Sequence, residues 1–256
     1  MTIWIIISIN DSSIFTLFIY IICIKFVNKV ILVTKFIMHD SVQKYIDIIN
    51  LIKLKIEDQK IDKFPKVIAV SKTFNLEKIL PLINYGHLDY GENKVQEAIE
   101  KWTKKKHENS KIRLHLLGKL QTNKVKSALK IFDYIHSIDS KKLAKKIADE
   151  EVKQNKKVKI FLQVNIGNED QKSGVNKDEL ISLYNYCKDL KLNVIGLMCL
   201  PPINEDPNKY FKEIYLLNKK LELPELSMGM SSDYLKAVEN YSTYLRIGSS
   251  IFGSRS

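Results

Sequence analysis

The chain reads as one α/β domain, a (β/α)8 TIM-type barrel with an extra N-terminal helix. Three observations predict this. From Lys66 onward, short β-rich runs alternate with segments of helical period. The alternation continues until eight strands are counted. The sequence then stops soon after the eighth. Alternating strand and helix implies a parallel sheet, and a count of eight selects a closed barrel over an open doubly wound sheet.

The elements follow in order. A lead helix is expected over Ser41–Asp58, where an amphipathic pattern begins. The first strand is Lys66–Thr73 (KVIAVSKT), an unbroken apolar run ending in polar residues, as a parallel strand buried on both faces requires. Further strands are expected over His87–Gly91, Arg113–Gly118, Tyr134–Asp139, Lys159–Asn165, Asn193–Leu200, Glu225–Met228 and Tyr244–Phe252. The helices between them are Leu76–Tyr85, Lys94–Lys106, Gln121–Ile131, Ser140–Asn155, Lys177–Lys188, Pro207–Leu221 and Ser232–Asn240. No internal repeat or Pro/Gly/Ser-rich linker follows Met38, so residues 38–256 form one domain.

Residues 1–37 are a hydrophobic leader of a different kind. Ile3–Ile9 and Ile14–Ile24 are strongly apolar, but Asn10-Asp11-Ser12-Ser13 divides them. Neither run reaches the ~18–20 residues of a transmembrane helix. The second is long enough for a signal core but lacks a basic start and a small-residue cleavage pattern. Three readings stay open: a targeting leader or signal anchor, a peripheral membrane helix, or mistranslated upstream sequence with the true start at Met38.

Composition excludes several function classes. The formal charge is +12, yet it is carried by lysines scattered over nearly every helix, with only Arg113, Arg246 and Arg255 as arginines. A nucleic-acid reader clusters its charge and interleaves arginine and aromatic residues. Solvated helix faces are the better reading, with a basic RNA-interacting protein as the rival. Cys23, Cys187 and Cys199 show no paired spacing, which points to a reducing compartment, here the cytoplasm. An organelle or membrane location would require residues 1–37 to act as a true leader. No Cys/His set has metal-ligand spacing, so no metal is expected.

Active sites of such barrels lie at the C-terminal ends of the strands. Lys72 closes the first strand there. A desolvated lysine has a lowered pKa and offers a neutral amine to a carbonyl; a lysine that merely snorkels from the strand end is the alternative. The loops after strands seven and eight commonly bind phosphate. Here they carry Gly229 with Ser231-Ser232, and Gly248-Ser249-Ser250. Glycine admits an anion close to the backbone, and amides at a helix start point toward it. A carbonyl-seeking lysine facing a phosphate cradle suits a phosphorylated aldehyde. Pyridoxal 5′-phosphate is one such molecule, and a phosphorylated sugar in a Schiff-base aldolase is the rival.

Several motifs resemble the pyridoxal phosphate homeostasis proteins of the YggS/PROSC type, relatives of the N-terminal barrel of alanine racemase. They are AVSKT (69–73), YGENKVQE (90–97), HLLGKLQTNKVK (115–126), HSIDS (136–140), QVNIGNEDQKSGV (163–175), GLMCLPP (196–202), LSMGMSSDYLKAVE (226–239) and STYLRIGSSIFGSR (242–255). Residues 1–37 have no counterpart. The resemblance implies that Lys72 forms the internal aldimine of pyridoxal 5′-phosphate. Ser231, Gly248 and Ser249 are then phosphate contacts with Ser232 as a helper, Arg246 faces the pyridine nitrogen, and Asn93 walls the pocket. Met228 and Met230 are expected to pack only. Ile166-Gly167-Asn168 departs from the commoner spelling, which affects only loop detail.

The implied function is holding and delivering the cofactor in intracellular homeostasis without robust catalysis, so no catalytic residue is assigned. An always-charged guanidinium at the ring nitrogen disfavours ring protonation and weakens the ring as an electron sink. A two-base racemase also needs a second proton donor, which in the resembling enzyme comes from an additional β domain. His115 and Tyr90 are the candidates to replace it, but both read better as barrel-lining residues. An amino-acid racemase or related enzyme is the alternative. Apo enzymes that use the cofactor are the candidate recipients.

Overall fold

The computed structural model describes residues 38–169, 171 and 173–254, so the reading of residues 1–37 as a leader lies outside the described residues. Eight parallel strands close into a barrel in sequence order: β1 (Lys66–Val70), β2 (Asp89–Glu92), β3 (Arg113–Leu116), β4 (Tyr134–Ile138), β5 (Lys159–Val164), β6 (Asn193–Cys199), β7 (Glu225–Met230) and β8 (Tyr244–Ile247). The β1–β8 seam closes through Lys66↔Tyr244 to Ala69↔Ile247. Helices α1 (Asp40–Gln59), α2 (Leu76–Asn84), α3 (Val95–Glu108), α4 (Val125–Ile131), α5 (Lys141–Gln154), α6 (Lys177–Asp189), α7 (Pro207–Lys220), α8 (Tyr234–Glu239) and α9 (Ser249–Phe252) surround it. The expected barrel with its lead helix is the fold observed.

The lead helix has a structural reason. Each seam of a parallel barrel exposes apolar strand surface that must be covered. Helix α9 is a single turn, too short to cover the β8–β1 seam. Helix α1 packs on α2, α8 and α9 instead, burying Val42, Ile48 and Ile52, with Lys55 paired to Glu239 on α8 at 2.7 Å.

Two apolar layers follow from the alternation of side chains along each strand. The large one fills the space between strands and helices; a small one, Ile68, Tyr134, Phe161, Met198 and Tyr244, fills part of the barrel itself. Many lysines lie along helix faces one turn from a carboxylate, as in Lys44–Asp40, Lys145–Asp149 and Lys146–Glu150. This is how a solvated face arranges its charge.

Some boundaries differ from expectation. The eighth strand, expected to reach Phe252, ends at Ile247, because the backbone turns at Gly248 (φ −120°, ψ −75°) and Ser249–Phe252 forms a helical turn. The first strand ends at Val70, which puts Ser71-Lys72-Thr73 in a turn. The second strand begins at Asp89, not His87, whose ring packs on Tyr45 and Tyr90. The seventh strand runs on to Met230. Among the described residues, no helix is long and apolar enough to cross a membrane.

Candidate functional site

The turn carrying Lys72 is tied down on both sides. On one side, the Ser71 amide donates to Gly91 O at 2.9 Å, and its hydroxyl donates to Glu92 Oε1 at 2.7 Å. On the other, Thr73 adopts a left-handed backbone (φ 69°), unfavourable for a β-branched residue. Its amide donates to Glu97 Oε1 at 2.7 Å, which stabilises that conformation. Lys101 joins the two carboxylates: its ammonium lies 3.0 Å from both Glu92 and Glu97 and donates to Ser71 O at 2.9 Å. Trp102 Nε1 adds a third bond to Glu92 Oε1, at 2.9 Å. Glu92 is fully buried, and its Oε2 has no hydrogen-bond partner among the described residues. Helix α3 thus supplies the scaffold that aims Lys72.

Lys72, half-buried, lines a cavity of about 550 Å3 at the C-terminal mouth of the barrel. The same cavity is lined by Asn93, Ser231, Ser232, Arg246, Gly248 and Ser249, so all seven residues singled out from the sequence meet in one place. Leu117, Met198, Leu200 and Met230 give it apolar walls. Met230 lies on the cavity wall, whereas Met228 is buried in the outer core.

The strand-seven and strand-eight loops are bonded to each other. Ser231 Oγ accepts from the Gly248 amide at 3.2 Å and the Ser250 amide at 3.3 Å. Asp233 Oδ1 closes the Met230–Asp233 turn by accepting from the Met230 amide at 2.6 Å. Gly229 starts this turn with φ +90°, and a Cβ there would lie 2.5 Å from that of Ala237. Only glycine lets α8 sit this close behind the loop. At the opposite wall, a Cβ on Gly118 would fall 2.3 Å from Asn93 O, so Gly118 sets how tightly the strand-three loop crosses Asn93.

Arg246 is buried and forms no ion pair with a carboxylate among the described residues, though the Asp233 charge acts on it. Its Nη1 donates to Ser227 Oγ at 2.8 Å and its Nη2 to Cys199 O at 2.9 Å. Burial pulls its pKa below the ordinary arginine value. Neither residue named as a possible second proton donor lines the cavity: His115 is sealed inside the barrel, and Tyr90 packs against Trp102 with its hydroxyl donating to His87 O. Among the described residues, no group of three or more His, Cys, Asp or Glu is placed to hold a metal ion.

Sequence reasoning did not assign roles to Glu92, Glu97, Lys101, Ser227 or Asp233. The Glu97–Lys101 pair was detectable as an i,i+4 charge pair on a helix beginning at the site. Ser227 was detectable as a polar residue inside an apolar strand.

Fold and mouth together define a class, the single barrel whose mouth brings the lysine just after strand one into one cavity with two serine- and glycine-rich loops. Residues 53–256 match the family described as "Alanine racemase, N-terminal domain". A pyridoxal phosphate homeostasis protein of Aquifex aeolicus (strain VF5) is 38% identical over 200 residues, covering 74% of this chain and 87% of that one. The human protein of the same description is 34% identical over 212 residues, covering 75% and 77%. The structure of PipY from Synechococcus elongatus PCC7942 with PLP bound superposes with a TM-score of 0.69 at 31% identity, covering 79% of this chain and all of PipY. An alanine racemase of Clostridium difficile 630 shares the fold at 13% identity and a TM-score of 0.61, over 56% of its length. The chain belongs to the alanine racemase N-terminal domain family and, within it, to the pyridoxal phosphate homeostasis proteins.

Proposed function

We propose that this protein holds pyridoxal 5′-phosphate as an imine on Lys72 and takes part in intracellular homeostasis of the cofactor without robust catalysis. The observation that carries the reading is the shared cavity: Lys72, Ser231, Gly248, Ser249 and Arg246 line it together, with apolar side chains completing its walls. Its volume suits a ligand of this size. PipY, which has this fold, was solved with PLP bound, and the homeostasis relatives supply the functional class.

The bound cofactor supplies an aldehyde that condenses reversibly with an amine, releasing water. The protein's residues do the rest. The clamp formed by Glu92, Glu97 and Lys101 fixes the turn and so the direction of Lys72. Ser231 and Ser232, with the Gly248 and Ser249 backbone, would grip the phosphate; the Gly248 and Ser250 amides, bonded to Ser231 Oγ, are donors an anion can share. Leu117, Met198, Leu200 and Met230 exclude water from the ring faces, and Asn93 closes one wall. The Arg246 cation at the ring nitrogen disfavours ring protonation. That suits a carrier, which must release its ligand intact to apo enzymes that need it. We place this activity in the cytoplasm, where the buried, unpaired Cys187 and Cys199 remain reduced.

A titration with pyridoxal phosphate tests the reading. Wild-type protein is expected to turn yellow at one equivalent, and Lys72→Ala to show only the spectrum of free cofactor. A Lys72→Ala protein with the wild-type band would place the linkage elsewhere. A chiral assay with L-alanine tests the racemase alternative: sustained turnover lost in Lys72→Ala would replace the carrier by an enzyme.

A further inference from the structure

Barrels of this fold usually fill their interior with branched apolar residues. Here a line of polar groups crosses it from the N-terminal face to the cofactor mouth. Arg113 grips Asp89 in a bidentate pair, Nε to Oδ1 at 2.7 Å and Nη2 to Oδ2 at 2.6 Å. Asp89 Oδ1 lies 3.0 Å from His115 Nε2, and His115 Nδ1 lies 3.1 Å from His136 Nε2. His136 Nδ1 lies 2.9 Å from Ser227 Oγ, which accepts from Arg246 Nη1 at 2.8 Å. His115, His136 and Ser227 are 0% exposed, Arg246 5% and Asp89 6%.

The two ends of this line fix every proton between them. A guanidinium can only donate, so Ser227 must accept from Arg246 and spend its single proton on His136 Nδ1. A neutral His136 then carries its proton on Nε2 and donates to His115 Nδ1. His115 in turn carries its proton on Nε2 and donates to Asp89. A carboxylate can only accept, so the line closes there without a mismatch. Burial disfavours a charge on either ring, and both imidazoles are held below their ordinary pKa. Every bond therefore points the same way, from the arginine to the carboxylate.

We propose that Asp89, His115, His136 and Ser227 are positioning residues of the cofactor mouth: a one-way hydrogen-bond relay that holds the Arg246 guanidinium in place and couples it to a carboxylate at the far end of the barrel. The proposal rests on the reading that Arg246 faces the bound cofactor. It explains how a buried arginine is accommodated when no carboxylate among the described residues forms an ion pair with it and Asp233 acts on it only through its field. Burying an unpaired charge is costly, and a polarised chain of hydrogen bonds brings the Asp89 charge to bear on it. It also explains why the barrel interior accepts two histidines. Each has both ring nitrogens satisfied, and the relay fails if either is removed.

Nitrogen-15 NMR of the imidazoles in the full-length protein without cofactor tests the proton assignment. Both His115 and His136 are expected to be neutral at pH 7, protonated at Nε2 and bare at Nδ1. A proton on Nδ1 of either ring would overturn the relay. Cofactor titrations of Ser227→Ala, Ser227→Thr and Asp89→Asn test its purpose. Ser227→Ala, confirmed folded by circular dichroism, should weaken pyridoxal phosphate binding about tenfold, the effect of losing a hydrogen bond to a charged group. Ser227→Thr keeps the hydroxyl and should restore most of it. Asp89→Asn, remote from the mouth, should weaken binding about threefold, with the same sense of shift in the bound chromophore's visible band as in Ser227→Ala. Folded Ser227→Ala and Asp89→Asn proteins with wild-type affinity and spectrum would show a merely structural column and overturn the proposal. Wild-type protein that bound no cofactor would sink the reading of the site itself, while the NMR would still decide the proton assignment.

Discussion

Removing the Glu97 carboxylate leaves the Thr73 amide without its acceptor and deprives Lys101 of one of its two carboxylate partners. The turn that aims Lys72 then loses its outer tie, while the buried Glu92–Lys101 pair survives. Glu97→Ala is therefore expected to lower pyridoxal phosphate affinity about tenfold with little loss of stability, as read by a cofactor titration alongside a thermal melt. Unchanged affinity would mean that the turn holds its shape unaided. Glu92 should behave in the opposite way. Its Oε1 receives Ser71, Lys101 and Trp102, and the Lys101 side chain is only 9% exposed. Glu92→Ala removes the buried partner of Lys101, leaving it Glu97 and Ser71 O, strips Trp102 Nε1 of its acceptor and Ser71 Oγ of its nearer one, and should cost about 3 kcal/mol in urea denaturation. At this scale the sequence revealed types more readily than partners. Lys72 stood out because a lysine ending an apolar run is unusual. The Glu92 clamp did not, because its members come from β1, β2 and α3 and meet only after folding.

Among the elements, the strand-seven loop is the most tightly specified. Gly229 combines a left-handed backbone with a position 2.5 Å from where its Cβ would meet Ala237. Gly229→Ala should cost about 3 kcal/mol, summing backbone strain and overpacking against α8, and should loosen the phosphate loop with it. Equal stability of the variant in urea would contradict this packing. Strand starts at Lys66, Arg113, Tyr134, Lys159, Asn193, Glu225 and Tyr244 were legible from the apolar runs, since a strand buried on both faces has a sharp beginning. Ends were less legible. Leu245, Ile247, Ile251 and Phe252 put apolar residues at both ends of this stretch, and so short a pattern cannot separate a strand from a strand followed by one helical turn. The break at Gly248 matters because it places the Gly248 and Ser250 amides on Ser231. The interior polar line was hidden for a related reason. His136 and Ser227 lie on β4 and β7, and only barrel closure brings them across the interior to one another.

For the whole molecule, the buried imidazoles set how stability responds to acid. Burial lowers the pKa of His87 from 6.5 to about 4 and depresses His115 and His136 as well. A histidine kept neutral in the fold is protonated first in the unfolded chain. Stability is then complete above about pH 6.5 and declines as the pH falls from there toward 4. His87 alone should remove about 2 kcal/mol between pH 7 and pH 5, with the other two adding to it. Asp89 contributes in the same direction at lower pH. Burial alone would raise its pKa, but bonds from Arg113 and His115 outweigh this and hold it below the usual carboxylate range, so its contribution is lost below about pH 4. Denaturant titrations at pH 7 and pH 5 check this, and equal stability at the two would contradict it. The fold itself was legible because eight strands leave one closed parallel arrangement, with α1 covering the seam that α9 is too short to cover.

The most direct test of the central claim is borohydride reduction of the protein loaded with pyridoxal phosphate, followed by peptide mapping by mass spectrometry. A single phosphopyridoxyl adduct on Lys72 is the expected result. An adduct spread over surface lysines, or one fixed at a lysine outside the cavity that Ser231 and Gly248 share, would contradict it.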